Sequence, residues 1–350
     1  MTARIFDAHC DTVMKVVDEG ADLLGPCEGH ISAPDLLAAG VGCQVFACFA
    51  SLMEHGDGVA QRSRALLSAA AALDGQGPFV MPRSADQLAA LADQPDRVGL
   101  LLAVEGGEAL GGRVEAVAEL AGLGVRYLTM AWGDNDLTGS AFGGGKGLTG
   151  LGREVMAELE RRRVLLDVSH MSDEAFADVA AAATRPFIAS HSNCRAICDV
   201  PRNLSDDQLR AVARSGGVVG VNFVSGFLTA EAAAAQRPIL KRYLAGVKDD
   251  PGSLSRRARQ ADVEIEGTPM PPLSAVADHV DHVRQVAGLD AVAFGSDFDG
   301  FTFGPEGLRG CRDFPAVLQL LRGRGWSEAD LNRLCWGNWL RVFSQTFEGP

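Results

Sequence analysis

VGLLLAVEGG, residues 98–107, is the stretch that decides the fold class. Its apolar side chains follow one another without polar alternation, which is typical of a β-strand covered on both faces in a parallel sheet. The run ends at Glu105, and two glycines follow it. Ligand sites of α/β proteins collect at the carboxyl ends of such strands. The stretch therefore predicts a buried parallel strand that delivers a carboxylate to a site.

Seven further apolar runs have the same character, and they lie at residues 4–9, 41–50, 125–131, 164–169, 186–190, 217–223 and 291–296. Helical segments separate most of them and have recognisable starts, such as the S-x-x-Q capping box of Ser205 and Gln208. Alternating strands and helices, with eight strands in all, predict a (β/α)8 TIM-type barrel. A doubly wound open sheet is the competing architecture. We interpret residues 1–350 as a single barrel domain.

Residues 224–275 interrupt this alternation between the seventh and eighth runs. They contain a basic cluster at Arg256, Arg257 and Arg259, and then three prolines between positions 269 and 272. We expect a helical insertion between strands 7 and 8 that ends in a proline-rich return. Its position at the carboxyl end of a strand predicts that it borders the mouth of the active site.

The composition limits the classes of partner. Of the 350 residues, 47% are hydrophobic and 22% are charged, and the formal net charge is −13. So acidic a chain lacks the basic face that nucleic acid requires. No apolar run reaches the roughly 18 residues of a membrane span. We therefore expect a small-molecule substrate and neither a nucleic acid nor a membrane partner, while the oligomeric state, including a homodimer, stays open.

The cysteines indicate the compartment. All eight are scattered, at positions 10, 27, 43, 48, 194, 198, 311 and 335, and none forms a CxxC pair. The start of the chain, MTARIFDAHC, enters a strand at once and has no apolar signal region. We interpret the cysteines as reduced thiols and expect a cytoplasmic protein.

Side chains that can bind metal or transfer protons stand at the ends of five separate runs, and they are His9, Asp11, Glu105, His170, His191 and Asp297. On a regular strand His9 and Asp11 would share one face, because they are two residues apart. His170 and His191 each follow an apolar run and a serine, which favours imidazole ligands on neighbouring strands. Taken singly, each histidine has an ordinary alternative as a hydrogen-bonded core residue. Each carboxylate has one as a side chain that faces water. Together they favour a two-metal hydrolase with Glu105 as the bridging carboxylate.

Other candidate residues have weaker support. His279 and His282 lie three apart on a predicted helix that is remote from the strand ends, so we expect surface or packing roles. Asp299 precedes Gly300, which is typical of a turn. Asp297 comes directly after the eighth run and is the better candidate for acid–base chemistry.

The order and spacing of six motifs carry a resemblance to a known family, and the motifs are His9-Cys10-Asp11, Glu105-Gly106, Asp167-Val168-Ser169-His170, Ser190-His191-Ser192, Pro201-Arg202-Asn203 and Gly295-Ser296-Asp297-Phe298-Asp299-Gly300. They resemble those of the membrane (renal) dipeptidases, zinc peptidases of the amidohydrolase superfamily. The segment 337–343, GNWLRVF, is also similar to the C-terminal helix of that family. The resemblance extends from one end of the chain to the other.

The resemblance implies a barrel that holds two zinc ions, with ligands His9 and Asp11 for one ion, His170 and His191 for the other, and Glu105 shared. It also implies that Asp297 moves a proton from the attacking water to the leaving amine. By the same resemblance, Arg202 binds the C-terminal carboxylate of the substrate through a charged fork.

One position departs from the family pattern. Animal members have Leu-Thr-His after the fourth strand, and that histidine is thought to hold the scissile carbonyl. Here the segment is Leu128-Thr129-Met130-Ala131-Trp132, with Asn135 retained nearby. An indole N–H can donate one hydrogen bond but cannot become cationic. Trp132 therefore indicates a different substrate range or an oxyanion stabilised by zinc alone.

From these features we expect a dizinc dipeptidase that acts on dipeptides with free amino and carboxyl ends, both L,L and L,D. Two alternatives remain at this stage. A related amidohydrolase would cleave another small amide, such as an N-acyl amino acid, and Arg202 fits both enzymes. A metal-binding relative without turnover would keep the ligands, and only Trp132 favours it.

Overall fold

The computed structural model describes residues 4–247, 250 and 252–348, which form α/β structure around one sheet. The strands are β1 Ile5–Cys10, β2 Val41–Phe49, β3 Phe79–Val80, β4 Val98–Glu105, β5 Val125–Thr129, β6 Leu165–Asp167, β7 Val219–Val221 and β8 Val292–Phe294. They pair in parallel in the order β6-β5-β4-β2-β1-β8-β7, and the short β3 pairs with β4 outside this path. The strand β3 is absent from the sequence-based prediction.

The segment 188–189 fills the gap between β6 and β7. Ile188 forms a parallel bridge with Asp167, and Ala189 forms one with Val219. The backbone N–H of Ile188 donates to the carbonyl of Leu166 over 2.9 Å. The ring of strands closes through this segment, so the fold is the predicted (β/α)8 TIM-type barrel. The predicted strand at 186–190 is present as these bridged pairs.

Helices cover the outside of the barrel, and they are α1 Val13–Asp18, α2 Ala33–Ala39, α3 Leu52–His55, α4 Val59–Ala71, α5 Ala85–Ala90, α6 Ala116–Gly122, α7 Gly150–Arg162, α8 Asp173–Ala182, α9 Asp206–Arg214, α10 Ala230–Ala245, α11 Leu254–Ile265, α12 Ser274–Ala287, α13 Phe314–Gly323, α14 Glu328–Asn332 and α15 Asn338–Ser344. A π-helical turn, Arg333–Gly337, joins α14 to α15. The capping box of Ser205 and Gln208 forms at the start of α9 as predicted.

The side chains that fill the interior of the barrel show which face of β4 carries Glu105. Leu101 and Ala103 of β4 pack in an interior cluster with Tyr127 of β5 and Ile188. Because side chains alternate along a strand, Glu105, two residues after Ala103, lies on the same face at the carboxyl end. The strand that fills the interior therefore also delivers Glu105 to the mouth.

The predicted insertion is helical. Helices α10 and α11 lie between β7 and β8, and α12 returns the chain to the barrel. At the base of the insertion, the carbonyl of Phe227 accepts a hydrogen bond of 2.9 Å from Asn203 Nδ2. Among the described residues, no helix is both long and apolar enough to cross a membrane.

Candidate metal centre

The structure brings together at the mouth of the barrel the side chains that the sequence singles out as metal ligands. The five predicted ligands form two groups whose ligand atoms each lie within a span of 4.8 Å, His9-Asp11-Glu105 and Glu105-His170-His191, and a third such group joins His9 and His191 to Asp297. All five side chains are buried. His9 and Asp11 converge although β1 is irregular between Asp7 and Cys10. Asp11 lies one residue beyond the end of β1, so the pair does not occupy two positions of one regular strand.

Glu105 divides the centre into two halves. Its Oε1 lies 3.0 Å from His170 Nε2 and 3.3 Å from His191 Nε2, whereas its Oε2 lies 3.5 Å from His9 Nε2. We call His9 and Asp11 with Oε2 the carboxylate-rich half, and His170 and His191 with Oε1 the imidazole-rich half. One carboxylate therefore presents one oxygen to each half.

A phenol orients the imidazole of the carboxylate-rich half. The hydroxyl of Tyr127 donates to the carbonyl of Ala8 over 2.9 Å and lies 2.8 Å from His9 Nδ1. Because that hydroxyl proton is already used, His9 Nδ1 must carry its own proton and donate it to the phenol oxygen. His9 Nε2 faces Asp11 Oδ2 at 3.6 Å and is the ring nitrogen directed to the centre.

A hydroxyl and a carboxylate orient the imidazole-rich half. Ser190 Oγ donates to Asp167 Oδ2 over 2.6 Å and lies 2.7 Å from His191 Nδ1. By the same reasoning, His191 Nδ1–H donates to Ser190, and Nε2 is the bare nitrogen. Asp167 also accepts a 2.6 Å bond from Thr129 Oγ1. His170 lies in the left-handed region at φ 67°, which is unfavourable for an L-residue and recurs at functional sites.

The donor set fits a divalent metal. His9 Nε2 and Asp11 Oδ1 are buried and have no hydrogen-bond partner in the described structure. Leaving buried polar atoms without partners costs free energy, and a cation between them would remove that cost. Three imidazoles and two carboxylates are ligands that zinc and similar transition metals accept.

The ionisation equilibria of the two halves are shifted in opposite directions. Burial acts to lower the pKa of His9, but Glu105 and Asp11 raise it well above its ordinary value. Burial, assisted by Arg202, lowers the pKa of His170 to about 4. Burial and the charge of His9 likewise lower the pKa of His191 well below its ordinary value. The carboxylate-rich half therefore attracts positive charge, while the imidazole-rich half keeps neutral nitrogen donors.

Asp297 lies at the edge of both halves. Its Oδ1 is 3.8 Å from His9 Nε2, and its Oδ2 accepts a 2.8 Å hydrogen bond from Asn222 Nδ2. Burial raises its pKa well above the ordinary value, although His9 acts in the opposite direction. Like His170, it has a φ of 67°. A Cβ added at Gly300 would lie only 2.4 Å from carboxylate oxygens of Asp11 and Asp297, so the backbone closes tightly over them.

Arg202 is buried beside the imidazole-rich half. Its Nη1 donates to Ser192 Oγ over 2.7 Å, and its Nη2 donates to the carbonyl of His191 over 2.6 Å. Its Nε is buried without a hydrogen-bond partner in the described structure. The ring of Phe227 lies 5.9 Å from the guanidinium carbon, so the start of the insertion borders the site. The arginine keeps free N–H donors for a ligand.

Trp132 stands beside the centre at the position that departs from the family pattern. Its ring centroid lies 6.4 Å from that of His170 and 4.9 Å from that of Phe49. Asn135 has another role, because its Oδ1 accepts the backbone N–H groups of Leu137 and Thr138. Its side chain organises the loop after β5.

The weaker candidates lie outside the two ligand groups. His279 is buried, accepts the N–H of Cys194 at Nδ1 over 3.0 Å and lies 3.0 Å from the carbonyl of Leu228 at Nε2. This geometry agrees with the predicted packing role. The carboxylate of Asp299 accepts from Thr12 Oγ1 and from the N–H of His30, as a residue that holds a turn would.

The sequence does not single out Tyr127 or Asn222, and it assigns no role to Ser190 or Asp167. Tyr127 lies within an apolar run and resembles ordinary core filling. Ser190 and Asp167 did belong to the quoted motifs, and a serine before each ligand histidine was a usable signal. Asn222 follows β7 directly, where a polar residue at a strand end could have been weighed.

Comparisons with known proteins identify relatives of this chain. The profile of the family described as "Membrane dipeptidase (Peptidase family M19)" matches residues 1–348. An uncharacterized protein in the pqqA 5' region of Klebsiella pneumoniae is 34% identical over 262 residues, which are 72% of this chain and 84% of that protein. Human dipeptidase 3 is 31% identical over 257 residues, 71% of this chain but only 45% of the human protein, so the match spans about half of that relative.

A solved structure resembles the whole chain. The metallopeptidase from Rhodobacter sphaeroides, liganded with a phosphinate mimic of the dipeptide L-Ala-D-Ala, superposes with a TM-score of 0.82. The sequences are 25% identical, and the superposition covers 99% of this chain and 100% of that one.

Proposed function

The chain belongs to the membrane dipeptidase family, peptidase family M19, and from this premise we propose that it is a dizinc dipeptidase for substrates with free amino and carboxyl ends. Family membership makes it a metal-dependent dipeptidase, a hydrolase. The number of ions, their identity as zinc and the range of dipeptides belong to the proposal. The L-Ala-D-Ala mimic bound by the Rhodobacter relative supports L,D as well as L,L substrates.

The position of Glu105 carries the proposal. Its two oxygens face different groups of imidazoles at 3.0 Å and 3.5 Å, as a carboxylate shared by two cations would. His9 and Asp11 would hold one zinc ion, and His170 and His191 the other. Two zinc ions bound there would lower the pKa of water and polarise the scissile carbonyl.

Asp297 is the proposed proton carrier. Asn222 fixes its Oδ2, which leaves Oδ1 directed to the centre, 3.8 Å from His9 Nε2. A carboxylate held there accepts the proton of the attacking water and delivers it to the leaving amine. Since Asp297 also lies within ligand distance of His9 and His191, its role has to be separated from metal binding by experiment.

Arg202 is the residue proposed to bind the C-terminal carboxylate of the substrate. Ser192 and the carbonyl of His191 fix its guanidinium, while the unpartnered Nε and the remaining N–H groups can donate. Buried charged hydrogen bonds of this kind are strong and directional. In this proposal the C-terminus of the substrate would bind next to the imidazole-rich half.

Metal analysis coupled to turnover tests the proposal. We expect two zinc ions per chain and hydrolysis of a panel of L,L and L,D dipeptides that chelation abolishes and zinc restores. Dipeptides with an amidated C-terminus serve as the matched control for Arg202, and they should react poorly in the wild type. A single tightly held ion with full activity, and no second site on titration, would contradict the bridging role of Glu105.

A further inference from the structure

Glu108 places a carboxyl group beside the centre that no step above uses. It follows Glu105 by three residues, in the 3₁₀ turn Gly107–Leu110. A Cβ added at Gly106 would lie 2.8 Å from Glu108 Oε2, so the side chain folds back over the residue next to Glu105. Glu108 is half-buried, so part of the residue remains accessible to a ligand.

No cation balances this carboxyl group among the described residues. The polar groups that act on it are its own backbone N–H, Asn135, which donates to Oε2 over 3.2 Å, and two further carboxylates, Glu105 and Asp136. Burial raises the pKa of Glu108 to about 7. A desolvated carboxyl group without a positive partner is stabilised when a cationic ligand binds to it.

A purely structural role explains the arrangement poorly. Asn135, the residue that Glu108 contacts, is already held by three bonds, from Nδ2 to the carbonyl of Met130 at 2.9 Å and to Oδ1 from the N–H groups of Leu137 and Thr138. The loop after β5 therefore keeps its conformation without Glu108. The carboxyl group is available for a ligand.

The location of Glu108 complements that of Arg202. Glu108 follows β4, whereas Arg202 follows the segment 188–189, three positions further around the barrel. The metal centre lies between these two loops. A dipeptide zwitterion has its ammonium and its carboxylate at opposite ends, so it matches an acidic group on one side and a basic group on the other.

We propose that Glu108 binds the N-terminal ammonium of the dipeptide and makes the enzyme selective for free amino ends. The proposal rests on the dipeptidase function proposed above and assigns the residue that recognises its free amino end. An N-acyl amino acid would leave the charge of Glu108 without a partner, and the site would discriminate against it for that reason.

A pair of substrates that differ only in the ammonium tests this proposal. Alanyl-amino acids and propionyl-amino acids have the same carbon skeleton and the same scissile amide. We expect the zinc-loaded wild type to prefer the alanyl substrate by at least about 100-fold in kcat/KM, since a site built for a polar group rejects the analogue that lacks it. Glu108→Gln keeps an oxygen for Asn135 but removes the charge.

In Glu108→Gln, kcat/KM for the alanyl substrate should fall about 30-fold or more, mainly through KM, as expected for a lost charged partner. The propionyl substrate should be unchanged within about threefold. Glu115→Gln, an exposed position on the same segment, is the control and should change neither. Glu108→Asp, which keeps the charge, should retain part of the preference.

Three results would overturn the proposal in distinguishable ways. An equal fall for both substrates in Glu108→Gln would show that the residue supports the structure only. Equal hydrolysis of both substrates by the wild type would show that the enzyme hydrolyses the amide but does not recognise the ammonium group. A zinc-loaded wild type that hydrolyses neither would contradict the dipeptidase function as well.

Discussion

The two halves of the metal centre share Glu105 but are built from different chemistry. In the carboxylate-rich half, neighbouring acids raise the pKa of His9, and an uncharged phenol orients its ring. In the imidazole-rich half, burial lowers the pKa of His170 and His191, and a serine connects His191 to the buried carboxylate of Asp167. Besides the shared Glu105, the first half has a second carboxylate, Asp11, among its possible ligands. The second half has two neutral imidazoles, and its additional carboxylate, Asp167, contacts His191 only through Ser190.

This difference gives the two proposed ion sites unequal ligand chemistry. Direct carboxylate ligands supply charge, and protons compete for them. Neutral imidazoles depend on the hydrogen bond at their other nitrogen for orientation and basicity. The two halves should therefore respond to different substitutions, and the experiments below are ordered by the size of the effect that we expect.

The shared carboxylate should be the most sensitive position. Glu105→Gln removes the shared negative charge and replaces one of the two bridging oxygens with an amide nitrogen, so zinc content should fall in both halves. Since metal assistance contributes several kcal/mol, kcat should decrease by at least about 10⁴-fold. Asp11→Asn is the comparison and should lower zinc content in the carboxylate-rich half alone. Metal analysis of the two variants checks this, and two zinc ions retained in Glu105→Gln would disprove the bridge.

Substitution of Asp297, at the edge of the carboxylate-rich half, tests whether this residue acts as a base or as a metal ligand. Asp297→Asn keeps the size and the hydrogen bond to Asn222 but removes the base, so kcat should fall about 10²–10⁴-fold with little change in KM. Both zinc ions should remain bound. Asp299→Asn, two residues on in the same turn, should be much milder. If Asp297→Asn loses an ion, or if both variants are equally impaired, another residue must move the proton.

The two supporting networks allow the halves to be weakened one at a time. Tyr127→Phe leaves His9 Nδ1 without its acceptor, and Ser190→Ala does the same to His191 Nδ1. Losses of such partners typically weaken metal binding about 10–100-fold. We expect Tyr127→Phe to weaken one site and Ser190→Ala the other, as measured by zinc titration with a chelator. Identical titration curves would mean that the halves are not independent.

His279 supports the imidazole-rich half from outside, because it accepts the N–H of Cys194, three residues after His191. Burial lowers its pKa to about 4 in the folded state. In the unfolded chain the pKa of His279 is near 6.5, so between about pH 6.5 and 4 the unfolded chain binds more protons than the folded protein does. Stability therefore decreases as the pH falls over this range. This single group contributes up to about 3 kcal/mol of that loss.

Unfolding measurements against pH check the role of His279. His279→Gln should be less stable than the wild type at neutral pH, because a packed group is replaced. Its stability should nevertheless decrease less steeply between pH 6.5 and 4. An unchanged slope in the variant would show that another group accounts for the acid sensitivity.

Much of the architecture follows from the sequence, because the information is local. Continuous apolar runs predict buried parallel strands, and the carboxyl ends of these strands meet at one edge of a barrel. That geometry predicts that His9, Glu105 and His170 lie close together, although it does not give the distances between them. The insertion is predictable for the same reason, since it interrupts a regular alternation.

The remaining features depend on long-range geometry. Tyr127 reaches His9 across 118 residues of sequence, and only the curvature of the closed barrel shows that its hydroxyl is a partner and not core filling. The two-residue strand β3 is too short to show a period. The carboxyl group of Glu108 folds back over Gly106 through a turn whose shape no pattern of residue types specifies.

The left-handed backbone at His170 and Asp297, both at φ 67°, has a consequence for laboratory evolution of this protein. Each such residue costs on the order of 1–3 kcal/mol that glycine would not incur, and asparagine would incur less than most residues. A library selected for heat resistance alone should therefore enrich His170→Gly and Asp297→Gly or Asp297→Asn, which gain stability and lose turnover. Selection for robustness and selection for activity act in opposite directions at these two positions.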